Sequence, residues 1–209
     1  MLEGTQLGVF MNKIIKIAML LVALTATFSF GSYGFRAGFN LYDVSSGDSK
    51  EDDYIEMGHG FGGGLVTITP LTSKLSFVSE LSFFYRKLFS EDLTKPTGHE
   101  YKIYLSEFAM SIPIMFQLTL AEGIPYLAAG VQLDSPISPK ATTKENGEET
   151  SADVNGRESL DFGILLGLGY LITPNIGVDA RAVIGLTPPF KRADDSRLNQ
   201  YGAGLTYYF

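Results

Sequence analysis

The chain of 209 residues contains no cysteine. That excludes disulfides, thiolate-bound metals, iron–sulfur clusters, thiol catalysis and the lipid-modified cysteine of a lipoprotein. The fold is therefore held without covalent staples. Tryptophan is also absent, and only two histidines are available for acid–base work. Basic residues number 16 against 23 acidic ones, so the clustered Lys and Arg needed to neutralise phosphates are missing and no nucleic-acid partner is expected. What the chain has in quantity is Phe (15), Tyr (11) and Gly (23), which favour strands and tight turns over helices.

The segment from Met11, MNKIIKIAMLLVALTATFSFGS, places Lys13 and Lys16 before an apolar stretch and ends in small residues. This is the pattern of a secretory signal peptide. Its apolar run, from Ile17, is shorter than the roughly 20 residues of a spanning helix. Cleavage is expected after Ser29 or Gly31. Residues 1–10 have no part in this pattern, so Met11 fits as the start of the exported chain. Loss of residues 1–31 removes Glu3, Lys13 and Lys16, leaving 14 basic and 22 acidic residues and a net charge of −8. The expected division is a targeting segment over 1–31 and one acidic domain over 32–209.

Beyond residue 31 apolar residues alternate with polar or small ones, the period of a β-strand. Eight such stretches follow. In the first, Tyr33, Phe35, Ala37, Phe39 and Leu41 oppose Gly34, Arg36, Gly38 and Asn40. The second, GHGFGGGLVTIT, is rich in glycine, and Phe61 and Leu65 fit best on its apolar face. In the third, Leu75, Phe77, Leu81, Phe83 and Tyr85 oppose Ser76, Glu80, Ser82 and Arg86, with Val78 and Phe84 as apolar exceptions. The fourth sets Phe108, Met110, Ile112, Ile114 and Phe116 against Glu107, Ala109, Ser111, Pro113 and Gln117. There Pro113 must occupy a position that donates nothing to the ladder. The fifth and sixth place Gln132, Asp134 and Asp161 on their polar faces. In the seventh, Ile176, Val178, Ala180, Ala182 and Ile184 oppose Asp179 and Arg181. The last opposes Tyr201, Ala203, Leu205, Tyr207 and Phe209 to Gln200, Gly202, Gly204 and Thr206.

The connections divide into two kinds. Three are tight, at TPLTS, AEG and TPN; four are long and polar, from Asp43 to Met57, Phe89 to Glu100, Ser135 to Glu158 and Pro188 to Arg197. Short and long alternate strictly, so all short turns fall at one end and all long loops at the other. This is the asymmetry of outer-membrane barrels, with the long loops outside the cell. The stretch from Ser135 to Glu158 is expected to be a flexible, solvated loop open to proteases. The expected fold is an all-β, eight-stranded antiparallel up-and-down transmembrane barrel, located in the outer membrane of a Gram-negative bacterium.

Several segments carry a resemblance: YGFRAGFNLYD, GFGGGLVTITPLTSKLSFVSELSFFYRK, EFAMSIPIMFQL, IPYLAAGVQL, FGILLGLGYLITPNIGVDARAVIGLT and LNQYGAGLTYYF. In order and spacing they resemble the PorT-like outer-membrane β-barrel domain family over nearly all of residues 33–209. That resemblance implies an eight-stranded monomeric barrel without a shared enzymatic activity. The terminal pattern Tyr201, Leu205, Tyr207, Phe209 resembles the signal read by the outer-membrane assembly machinery, which together with membrane lipids makes up the expected partners. The extracellular partner is not identified by any motif.

Two sets of residues bear on function. On the inward faces stand Arg36, Glu80, Arg86, Glu107, Asp179 and Arg181, three acidic and three basic, expected to pair and fill the lumen. As candidates for catalysis, His59 and His99 have Ser90, Ser106, Glu100 and Glu107 near in sequence, and His59 has Asp52, Asp53 and Glu56 as conceivable co-ligands for a metal. No spacing fixes a catalytic or metal geometry from these residues, so no enzyme activity, cofactor or metal is expected. Two alternatives remain: a soluble lipocalin-like barrel with its apolar face inward around a ligand, and an outer-membrane lipid-modifying enzyme.

Overall fold

The structure is a computed structural model, and it describes residues 31–45, 57–94, 100–120, 125–145, 148–153, 160–189 and 196–209. The segment expected to be a signal peptide lies outside the described residues except for Gly31. Ten strands follow: β1 (Ser32–Ser45), β2 (Gly58–Pro70), β3 (Leu75–Thr94), β4 (Glu100–Thr119), β5 (Pro125–Pro136), β6 (Lys140–Glu145), β7 (Glu148–Asp153), β8 (Asp161–Thr173), β9 (Ile176–Gly185) and β10 (Arg197–Tyr208). The antiparallel order β3-β2-β1-β10-β9-β8-β5-β4 is closed by a further pairing of β3 with β4. Eight strands thus make a barrel in which each strand pairs with two neighbours, leaving no open edge within the wall.

Two of the tight turns are built alike. At one, the Thr72 hydroxyl accepts from the backbone N–H of Leu75 at 3.0 Å; at the other, the Thr173 hydroxyl accepts from that of Ile176 at 3.0 Å. In each case the threonine caps the turn beside a proline, which cannot continue the ladder. The backbone N–H of Phe209 donates to Tyr33 at 2.8 Å, tying the chain end to the start of β1.

Pro113 sits where its missing donor costs least. The β3–β4 ladder passes from Ser79–Ile114 directly to Ser82–Ser111, so the break in pairing coincides with the proline. On its other side Pro113 faces Gln132 of β5.

The expected loop from Ser135 to Glu158 is corrected by the structure. Ser135 and Pro136 still belong to β5, and β6 with β7 form a hairpin whose first strand pairs with residues 101–106 of β4. The strands β3 and β4, 20 residues each, continue past the barrel to carry it. Its sequence is polar on both faces, and so shows none of the apolar alternation that marks a strand half-buried against a core.

Side chains alternate as the period demands. Phe35, Phe39, Phe61, Leu65, Phe83, Phe108, Phe116, Leu168 and Leu205 are all exposed on the outer wall, whereas Arg36, Glu80, Arg86, Glu107 and Asp179 are buried inside. So extensive an apolar surface is untenable in water and suits lipid. The soluble lipocalin-like alternative, which needs the opposite facing, is thereby overturned.

Candidate functional site

The lumen is the part of the molecule where chemistry is concentrated. Its polar side chains come from seven of the eight barrel strands and form two separate groups.

The first is a ring of four charges. Arg36 of β1 donates from Nε and Nη2 to the two carboxylate oxygens of Asp179 on β9, at 3.0 and 2.8 Å. Arg181, two residues further along β9, approaches Asp179 at 2.8 Å through Nε and donates to Glu80 of β3 at 2.7 Å through Nη1. Glu80 closes the ring at 3.8 Å from Arg36 and also accepts from the Ser82 hydroxyl. Every charge has two neighbours of opposite sign, and the sum is zero. Glycine makes the space for it: a Cβ at Gly204 would overlap the guanidinium of Arg36, which its bidentate bond prevents from moving aside.

The second group is a hub. Arg86 of β3, with only 1% of its side chain exposed, donates to Glu107 at 2.7 Å, Asp161 at 3.1 Å and Asp134 at 3.3 Å. Its guanidinium carbon lies 5.4 Å from the centre of the Tyr42 ring. Gln132 donates to both carboxylate oxygens of Asp134, at 3.0 and 3.1 Å, and to Gln200 at 3.1 Å. Thus one cation meets three carboxylates, a formal excess of two negative charges.

Apolar layers complete the filling. Tyr42, Leu88, Leu105 and Leu198 pack together at the long-connection end, while Val66, Val78, Met115, Ala128, Leu165, Val183 and Tyr208 form a second cluster. A recess beside Gln132, Asp134, Asp161 and Gln200 offers about 10 Å³, the lower limit for one water. Among the described residues every fully buried side-chain polar atom has a partner. Arginine suits these positions because its planar fork satisfies several acceptors while remaining charged. An arrangement of this kind locks strands to one another across the lumen.

All six of the inward charges named from sequence lie in the lumen, divided between the ring (Arg36, Glu80, Asp179, Arg181) and the hub (Arg86, Glu107). The expected three-to-three balance is corrected: Asp134 and Asp161 join the hub, making, among the described residues, five carboxylates against three arginines. Both already stood on the inward faces of their strands, but nothing in the period signals that they meet Arg86. Leu165 and Val183, buried inside, were likewise not assigned a facing.

Among the described residues the catalytic candidates are not brought together. His59 is exposed on the outer wall, whereas Glu107 points inward to Arg86. Ser106 shares the outer face with His59. His99, Asp52, Asp53 and Glu56 lie outside the described residues, as do the side chains of Ser90 and Glu100. Among the described residues no three His, Asp or Glu side chains are placed to hold a metal.

The terminal positions Tyr201, Leu205, Tyr207 and Phe209 all face outward, with Phe209 73% exposed. The rings of Tyr207 and Phe209 meet edge to face at 5.8 Å.

A closed eight-stranded barrel with its charges inside and its aromatics outside is an integral outer-membrane protein. The chain belongs to the outer membrane protein beta-barrel domain family, whose model matches residues 29–191, and this places it in the outer membrane of a Gram-negative bacterium. No curated protein sequence matches it. Among solved structures it is similar to Neisserial surface protein A, with 16% identity, a TM-score of 0.50 and coverage of 85% of this chain and 97% of that one. It is also similar to Ail, the attachment invasion locus protein of Yersinia pestis, with 15% identity, a TM-score of 0.47 and coverage of 86% and 99%. A third is OprG of Pseudomonas aeruginosa, with 12% identity, a TM-score of 0.45 and coverage of 86% and 96%. At such identities the likeness concerns the fold.

Proposed function

We propose that the protein is a plugged outer-membrane scaffold, which passes no solutes and presents its long connections outside the cell as a surface for contact with other molecules. The observation that carries this reading is the lumen, crossed by bonds between its arginines and carboxylates. Eight strands leave an interior only wide enough for side chains, and here those side chains are bonded across it. Within the family the segments quoted above favour the PorT-like branch. The barrel acts as a monomer without enzymatic activity or cofactor. It is exported by the signal peptide within residues 1–31 and passed to the assembly machinery through Tyr201, Leu205, Tyr207 and Phe209.

Purified protein in a planar bilayer is expected to give no stable, large conductance steps. Reproducible steps that disappear when the lumen is narrowed would overturn the reading. For orientation, a tag inserted near Gly147 should be reached by antibody on intact cells; access only after lysis would reverse the topology.

A further inference from the structure

The outer wall is chemically uneven around its circumference. From Leu75 to Tyr85 the outward positions of β3 are apolar except Ser79, whose hydroxyl is bonded to that of Thr67. Eleven tilted strand residues span about 25 Å, the height of the apolar band of such barrels. At its upper margin Phe61, Tyr85 and Phe108 stand side by side on β2, β3 and β4, with ring centroids 6.0 and 5.3 Å apart.

Two residues further along each strand, toward the long connections, the same outward face changes character. His59 pairs in register with Lys87, Lys87 with Ser106, and Ser106 with Lys140 of β6. Residues directly opposite on one face of a sheet are near neighbours, so these four form a line across the wall just above the aromatic row. Lys140 in turn faces Asp153 at the outer edge of the hairpin. The ammonium of Lys87 lies 4.9 Å from the centre of the Tyr104 ring, which holds the side chain along the wall with its charge at the band's margin. His59 and Lys140 are exposed. On the neighbouring wall the corresponding place above Leu41 and Tyr201 is taken by the pair Asp43–Asn199, with Arg197 opposite Ser45 beyond it, so at this level the described wall carries an acidic side chain there in place of lysine. In a chain with a net charge of −7, a basic line joined to an aromatic row requires an explanation that general solubility does not supply.

We propose that this side of the barrel docks a phosphate-bearing lipid of the leaflet at the long-connection end, its anionic headgroup on His59, Lys87 and Lys140 and its acyl chains over Phe61, Tyr85 and Phe108. The chemistry is complementary at both ends. Ammonium groups at the membrane interface attract phosphate in a medium less polar than bulk water; the Ser106 hydroxyl and the imidazole supply hydrogen bonds; and the aromatic row continues the apolar band on which acyl chains rest. The inference rests on the membrane-spanning reading and not on which end faces outward, because the assay below uses bilayers with the same lipids in both leaflets.

The absence of tryptophan makes a local test possible. The full chain carrying Phe61→Trp has a single reporter beside the site, and one carrying Ile184→Trp has a single reporter on β9, away from it. Each is refolded into phosphatidylcholine vesicles containing brominated phosphatidate or brominated phosphatidylcholine, and quenching gives the relative affinity of the two lipids at each place. At Phe61→Trp phosphatidate should be preferred roughly tenfold, as two lysines at an interface would provide. Adding Lys87→Gln and Lys140→Gln should reduce that preference to near one, Lys87→Gln alone should reduce it in part, and Lys74→Gln at a tight turn should leave it unchanged. At Ile184→Trp no preference is expected. Equal quenching by the two lipids at Phe61→Trp, or a preference that survives the double substitution in a folded barrel, would overturn the proposal. Relief of quenching by millimolar inorganic pyrophosphate would show a site for soluble phosphate instead of lipid, and would overturn it equally. A protein that never entered the bilayer would show no quenching by either lipid, which separates failure of this inference from failure of the membrane reading.

Discussion

The two charge groups in the lumen contain four ionisable side chains each, yet they are wired differently. In the ring, Arg36, Asp179, Arg181 and Glu80 alternate in sign and each has two opposing neighbours. In the hub, Arg86 is shared by Glu107, Asp134 and Asp161. A ring softens the loss of a member, because its neighbours keep one partner, although its charges then no longer cancel. A hub is less tolerant, because its three carboxylates share one guanidinium. Buried ion pairs contribute little when intact, relative to well-packed apolar residues, but breaking one strands an uncompensated charge. Wiring, more than the number of bonds, therefore decides what each residue is worth.

The sharpest break in this comparison is Arg86→Met. Three carboxylates would remain around an apolar side chain, and a loss of about 5 kcal/mol or failure to fold is expected. Denaturant unfolding in lipid vesicles, followed by circular dichroism and by the heat-modifiable shift in gel mobility, measures it. If Arg86→Met folds with near-normal stability, the hub is not the keystone described here. Adding Glu107→Gln and Asp134→Asn to that variant should restore part of the loss.

Arg36→Met should cost less, about 3 kcal/mol in the same measurement, because Arg181 continues to hold both Asp179 and Glu80. A cost equal to that of Arg86→Met would abolish the distinction between ring and hub.

Gly204→Val leaves every charge in place and acts only through space. By displacing Arg36 from Asp179 it should cost about 2 kcal/mol, the usual scale of overpacking. Combined with Arg36→Met the two effects should fall well short of additive, since the clash disappears with the guanidinium.

The smallest effect sharpens the comparison most. Asp161→Asn removes one of the three carboxylates that share Arg86, so its stability change should stay within about 1 kcal/mol. Asp179→Asn, a chemically identical change within the ring, should be clearly destabilising because it takes the shared acceptor from two arginines. Equal effects at the two aspartates would show that charge balance does not govern the lumen.

Much of this was legible along the chain. Arg36 among Tyr33, Phe35 and Phe39, or Asp179 and Arg181 among Ile176, Val178 and Ala180, stand on the face opposite to the aromatic one, and a period of two admits no other placement. Two of the tight turns were visible for a similarly local reason, in the prolines Pro70 and Pro174 that halt the strands, while the AEG turn lies outside the described residues. The hairpin of β6 and β7 was not, since Lys140–Glu145 and Glu148–Asp153 offer no apolar face to report their strand character. Pro113 could be expected at a position needing no donor, but the coincident gap between Ser79–Ile114 and Ser82–Ser111 depends on how β3 meets β4.

What the sequence by itself determined is therefore the facing of each residue: chain geometry turns alternate side chains to opposite sides, and lipid accepts only one of the two sets. What only the tertiary structure decided is partnership. Arg36 and Asp179 lie 143 positions apart on strands separated by β10, and Asp161 reaches Arg86 across 75 positions. Such meetings follow from the register and tilt with which eight strands close, and these are properties of the whole circumference that no single strand carries.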